Sequence, residues 1–226
     1  MLESVWQQLA AASAAVAHAP VWQLSDADLV EALRAEQVAE AQRVAARLGL
    51  LRELDVRGYA ASLSFTSTQA WLSHELLVDG TTAAADVRAA RQLDPVGDVP
   101  PAAGVLVSRP LAGEVALAAT GRALVVGSIS RAHADAVSTS IRKLPIPAGA
   151  SLAKADDLRA QAEAALLVEC ARLVPADVRR CGARIRHLVD PDGVLADERD
   201  ATAKAMLWIK RDRDTAGYRF GGTTDA

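Results

Sequence analysis

Aromatic side chains make up only 4% of this 226-residue chain, and cysteine and methionine occur just twice each. With so few large flat groups, the interior has to be assembled from small side chains at close backbone approach, which favours packed helices over sheets. Cys170 and Cys181 form no CxxC pair and no framework of several bridges, so they read as buried thiols of a cytoplasmic protein in a reducing compartment. No run of about 18 strongly apolar residues occurs, which excludes a helical membrane span. Glycine-rich phosphate loops and the HExxH zinc pattern are also missing, removing the common nucleotide-binding and zinc-protease classes at motif level. His18, His74, His133 and His187 lie far apart, and the sequence argues for no metal site and no cofactor.

What is present is alanine. Forty-nine alanines, within a composition of 51% hydrophobic and 23% charged residues, describe a globular chain with a sizeable core. The net charge is −3 and the isoelectric point about 5.8, so contact with nucleic acid would have to come from a local patch. The opening segment to Pro20 carries Glu3, lacks an early cation and is mostly alanine, so it reads as a helix and not as a signal peptide.

Periodicity gives the order of elements. Ser25 with Asp28 three residues on is an N-terminal cap, and Leu29, Leu33, Val44, Leu48 and Leu51 mark one stripe of a long helix reaching about Tyr59. The alanine-rich residues 2–19 are its expected partner. Residues 67–78 and 82–93 read as two helices joined by Asp79-Gly80-Thr81, a helix-turn-helix-like pair. Four prolines in 94–110 break any helix. A second pair is predicted from helices at 111–126 and 131–143, separated by Gly127-Ser128 and capped by Ser130. Ser151 starts a helix to about Val174, and Pro175 opens another to Val189, followed by an Asp190–Gly193 turn. MLWIKRD and GYRFGG are short strands. The expected fold is therefore mainly α: an antiparallel array of about eight helices over 1–193, and a C-terminal extension over 194–226 with an incomplete β-hairpin.

Four blocks in order carry a family resemblance: LSDADLVEALRAEQVAEAQRVAARLGLLREL, TQAWLSHELL with DVRAARQL, ALVVGSISRAHADAVSTSIRKLP, and AEAALLVECARLVPADVRRCGARIRHLVDPDG. Together they resemble the N-terminal domain of unknown function of actinobacterial, mycobacterial-type repeat-element proteins of the HNH endonuclease family. The resemblance implies DNA as a partner and a C-terminal nuclease module that binds metal and activates water. No such motif stands in these 226 residues, so the expectation is a chain without activity of its own, either a partial copy or a frameshifted reading frame whose nuclease half is encoded separately. Gly127 to Ala134, GSISRAHA, is also similar to the stretch that follows the helix-turn-helix in chromosome-partitioning ParB-like proteins.

Charge distribution selects the candidate contacts. Helix 82–93 would present Arg88 and Arg91 to a groove, although four acids oppose these two arginines between Ser67 and Pro95. From Thr120 to Pro147, Arg122, Arg131, Arg142 and Lys143 face only Asp135. From Cys170 to Asp190, five arginines face two acids, with Arg179 and Arg186 in one row and Arg180 and Arg184 in another. The candidate nucleic-acid contacts are Arg88, Arg91, Arg131, Arg142, Lys143, Arg179, Arg180 and Arg184, with no catalytic residue. The bland reading pairs these cations with acids of the first long helix. The competing function is a helical interaction or oligomerisation domain, whose partner is a second copy or another protein. Trp22, Trp71 and Trp208 read as packing anchors. His74 and His133 read as helix-surface and first-turn residues.

Overall fold

A computed structural model describes residues 2–93, 115–146, 150–191, 206–211 and 218–223. The expected linker at 94–110 and the boundary near residue 193 lie outside these. The described chain is mainly α. In order it forms α1 (Leu2–Ala17), a 3-10 turn (Val21–Gln23), α2 (Asp26–Val56), α3 (Tyr59–Ser62), α4 (Thr68–Leu76) and α5 (Gly80–Gln92). After the undescribed stretch come α6 (Ala118–Val125), α7 (Arg131–Arg142), α8 (Leu152–Cys170) and α9 (Pro175–Val189), then β1 (Met206–Arg211) and β2 (Tyr218–Thr223).

Helix starts follow local chemistry. Ser25, Ser67, Ser130 and Ser151 each take a hydrogen bond on the side-chain oxygen from the backbone N–H three residues on, which satisfies a donor that the first turn leaves open. Pro175 occupies the first position of α9, where a missing N–H costs nothing. Two boundaries differ from the periodicity. The helix expected from residue 111 begins at Ala118, after a non-helical Val115–Leu117. The first helical pair is not broken by Gly80, which already belongs to α5; the chain turns at Leu77, an exposed residue in the left-handed region at φ 52°.

The C-terminal half of α2 packs on α5 and α6, α4 packs on α5, and α7, α8 and α9 pack on one another. Ala41, Ala45, Leu48 and Leu51 carry α2 into the core, where Leu72, Ala83, Leu117, Leu124, Ala134 and Val137 are fully enclosed. The expected cover of α2 by α1 is not what the chain adopts. Residues 4–20 are exposed apart from half-buried Leu9, and Leu33, counted in the apolar stripe, is 70% exposed. Trp22 is 81% exposed and is no packing anchor, whereas Trp71 is half-buried with its ring edge-on to Tyr59 at 5.5 Å. Strands β1 and β2 form an antiparallel hairpin in which Met206 pairs with Thr223 and Arg211 with Tyr218.

Close approach between helices is set by two glycines. A Cβ on Gly121 of α6 would overlap the Leu93 carbonyl oxygen, and one on Gly182 of α9 would overlap the Ser140 side chain of α7. His133, at the start of α7, reaches the Leu173 carbonyl just ahead of α9. These two contacts show that α7 and α9 run side by side in the same direction, with α8 returning the chain between them. Replacing Gly182 by alanine is expected to destabilise the fold by about 1–3 kcal/mol through overpacking. Ser140→Gly in the same chain should recover most of it, as read by denaturant midpoints of the single and double variants.

Candidate nucleic-acid interface

The proposed contacts separate into two groups. Helix α5, carrying Arg88 and Arg91, lies between α2 and α4 and buries Ala83, Asp86, Val87, Ala89, Ala90 and Gln92. Arg88 stays exposed. Arg91 instead grips Asp55 of α2 from two nitrogens, Nε to Oδ2 at 2.7 Å and Nη2 to Oδ1 at 3.0 Å. Thr68 of α4 donates to the same carboxylate at 2.6 Å, and Arg52 stands 3.7 Å away. Asp55 thus ties three helices together, and Arg91 is a structural residue whose guanidinium is already occupied. Burial pulls the Asp55 carboxyl upward, but the hydrogen bonds from Arg91 and Thr68, with the charges of Arg91 and Arg52, outweigh it and hold the group below the ordinary carboxylate range.

Arg131 is likewise engaged. It binds Asp86 at 3.1 Å, Asp135 at 2.9 Å and the Ala85 carbonyl at 3.4 Å, locking α7 to α5. Arg47 of α2 adds a second cation to Asp86 at 3.4 Å. Beside this network a cleft of about 410 Å³ is lined by Glu40, Val44, Ser130, Arg131 and Asp135, a mixed lining in which the cation is already neutralised.

The second group differs. Arg142 and Lys143 on the last turn of α7, and Arg179 and Arg184 on α9, are exposed and pair with no acid among the described residues. Arg180 is also exposed but pairs with Asp177 in its own helix. Helical periodicity around the Ser140–Gly182 contact puts Lys143 and Arg179 along its solvent-facing rims, with Arg180 and Arg184 on the outer face of α9. The acids of α2 do not neutralise this set: Glu31 pairs with Arg34 and Glu36 with Arg43, both within the helix.

A match over residues 30–216 to a family described as Domain of unknown function (DUF222) covers most of the chain. The chain belongs to the DUF222 family. No curated protein and no solved structure matches it. The described residues bring together no three histidine, cysteine or carboxylate side chains fit to hold a metal ion. No helix among the described residues is long and apolar enough to cross a membrane.

Two polar groups that tie distant segments together escaped the sequence reading. Glu163, 7% exposed, accepts hydrogen bonds at 2.7 Å from both the backbone N–H and the hydroxyl of Thr120, and so caps α6 from a distant helix. Its sequence signal was a lone acid inside the alanine- and leucine-rich AQAEAALL. His133 does more than fill a first turn: Nε2 donates to the Leu173 carbonyl at 2.9 Å while Nδ1 faces the Ser130 hydroxyl at 2.8 Å, a tautomer assigned from the carbonyl partner. Cys170 is buried, which pushes its thiol pKa up, and Cys181 is half-buried; both are free.

Asp55→Asn and Arg91→Ala should each cost about 2–3 kcal/mol at neutral pH, because each strands a partly buried charged partner. Arg88→Ala, on an exposed position, should stay within about 0.5 kcal/mol of wild type. Since the folded Asp55 carboxyl is depressed, its contribution is complete above its unfolded value and disappears as pH falls through the folded one. The stability gap between wild type and Asp55→Asn, measured by denaturant titration, should therefore close as the pH is lowered from about 5 towards about 2.

Proposed function

We propose that this DUF222 domain is a non-catalytic DNA-binding module of an HNH-endonuclease-like repeat-element protein, which holds DNA for a nuclease half carried elsewhere. One observation supports the reading above the others: the exposed cations Arg142, Lys143, Arg179 and Arg184 on the α7–α9 pair have no acidic partner among the described residues, whereas Arg91 is held by Asp55 and Arg131 by Asp86. Protein charges that neutralise phosphates gain from release of condensed counterions, and only cations not already paired can do so. The contact is with the DNA backbone. With Arg91 held by Asp55, base reading falls to exposed Arg88 alone among the arginines of α5.

The test is a gel-shift titration with duplex DNA at two salt concentrations. Four phosphate contacts predict that affinity falls about a hundredfold between about 50 mM and about 200 mM salt. Alanine at Arg142, Lys143, Arg179 and Arg184 together should abolish most of the shift without changing the melting temperature, since all four are exposed. No shift by wild type at the lower salt, or an unchanged shift with the quadruple variant, defeats the proposal.

A further inference from the structure

Helix α8 has one face that the fold uses only in part. Asp156, Arg159, Ala160 and Glu163 follow one another at spacings of three, one and three, which puts them on one side of the helix. Across from them Val115 and Leu117 lead the chain into α6, and a cavity of about 310 Å³ lies between the two walls. Ligand pockets begin at about 300 Å³, so this one has room for a single small molecule.

Two charged side chains in its lining are engaged at one atom and unengaged at another. Glu163, 7% exposed, takes both of its hydrogen bonds on Oε1, from the backbone N–H and the hydroxyl of Thr120. Both donors are neutral; Oε2 has no partner among the described residues, and no cation among them pairs with this carboxylate. Arg159 gives Nη1 to Asp156 at 3.1 Å, while Nη2 has no partner among the described residues and Nε is enclosed without one. Asp156 is 74% exposed at its side chain, so water screens most of what it offers the guanidinium. Withdrawing polar groups from water without giving them partners costs free energy, and more for a charge than for a dipole. A ligand that met Glu163 and Arg159 together would offset that cost.

We infer that this cavity binds a free α-amino acid with a small apolar side chain, held as its zwitterion. The ammonium group pairs with Oε2 of Glu163, and the carboxylate with Nη2 of Arg159. The charges of the lining select this class. A simple anion would face the Glu163 carboxylate, a simple cation would face the Arg159 guanidinium, and a neutral apolar molecule would leave both without a partner. The ligand therefore carries both signs, and it carries them close together, because residues four apart on a helix stand about 5–6 Å from each other at Cβ. Ammonium and carboxylate share one carbon in a free amino acid, whereas a peptide end offers only one of the two. The remaining lining, Val115, Leu117 and Ala160, has no polar side chain and suits an aliphatic group on the ligand.

Isothermal titration of the full chain with L-valine should show binding with a dissociation constant below about 1 mM. Isobutylamine and 3-methylbutanoate, which are valine without its carboxylate and without its ammonium group, should each bind at least tenfold more weakly. Glu163→Gln still accepts a hydrogen bond from Thr120 but loses the charge, and Arg159→Gln removes the guanidinium from a position outside the core. Each should weaken L-valine at least tenfold with the helical circular dichroism unchanged; should Glu163→Gln unfold, Arg159→Gln alone carries the test. No binding of L-valine by the wild type, an analogue that binds as well as L-valine, or an Arg159→Gln variant of unchanged affinity overturns the inference. Arg142, Lys143, Arg179 and Arg184 do not line this cavity, so failure of either proposal leaves the other standing.

Discussion

Helices whose facing side chains are alanine and glycine bury surface only when their axes come close, and this domain depends on that approach. Gly121 sits against the Leu93 carbonyl and Gly182 beneath Ser140, at separations no Cβ would allow. Ala83, Ala134 and Ala136 are fully enclosed around them. Small side chains contribute little apolar area each, so the gain comes from the number of contacts at close range and from the few leucines set between them. A single methyl group in the wrong place therefore acts on a whole helix pair.

Close approach also draws polar groups out of water, and each must then find a partner. Asp55 answers to Arg91, Thr68 and Arg52; Asp86 to Arg131 and Arg47; Glu163 to both donors of Thr120. These pairs join helices distant in sequence: α2 to α4 and α5, α5 to α7, α6 to α8. Non-directional packing of small residues tolerates sliding between helices, whereas a two-pronged guanidinium–carboxylate contact fixes one register. His133 does the same for α7 and the α8–α9 turn.

What the core and its pins leave unused are two surfaces of opposite character. On α7 and α9, Arg142, Lys143, Arg179 and Arg184 pair with no acid among the described residues; from Ser4 to Ser25 the chain has no aspartate, glutamate, lysine or arginine. The first suits a polyanion, whose attraction works through water at a distance. The second suits an apolar neighbour, whose attraction acts only in contact.

The sequence by itself determined where most helices start, because a serine cap or a leading proline acts on the backbone three or four residues away. It determined the helical class, because alanine abundance and apolar periodicity are local properties. The serine caps at Ser25, Ser130 and Ser151, together with Pro175 and both strands, stand where that reading puts them. Only the tertiary structure decided which arginines are spent and which remain, since Arg88 and Arg91 sit three residues apart on one helix yet differ in whether Asp55, 36 positions before Arg91, lies within reach. It likewise decided that α5 and α6, and not α1, cover α2. An amphipathic stripe states how much surface needs a partner. Which partner takes it is settled by the packing of elements far apart along the chain, and local spacing does not encode that packing.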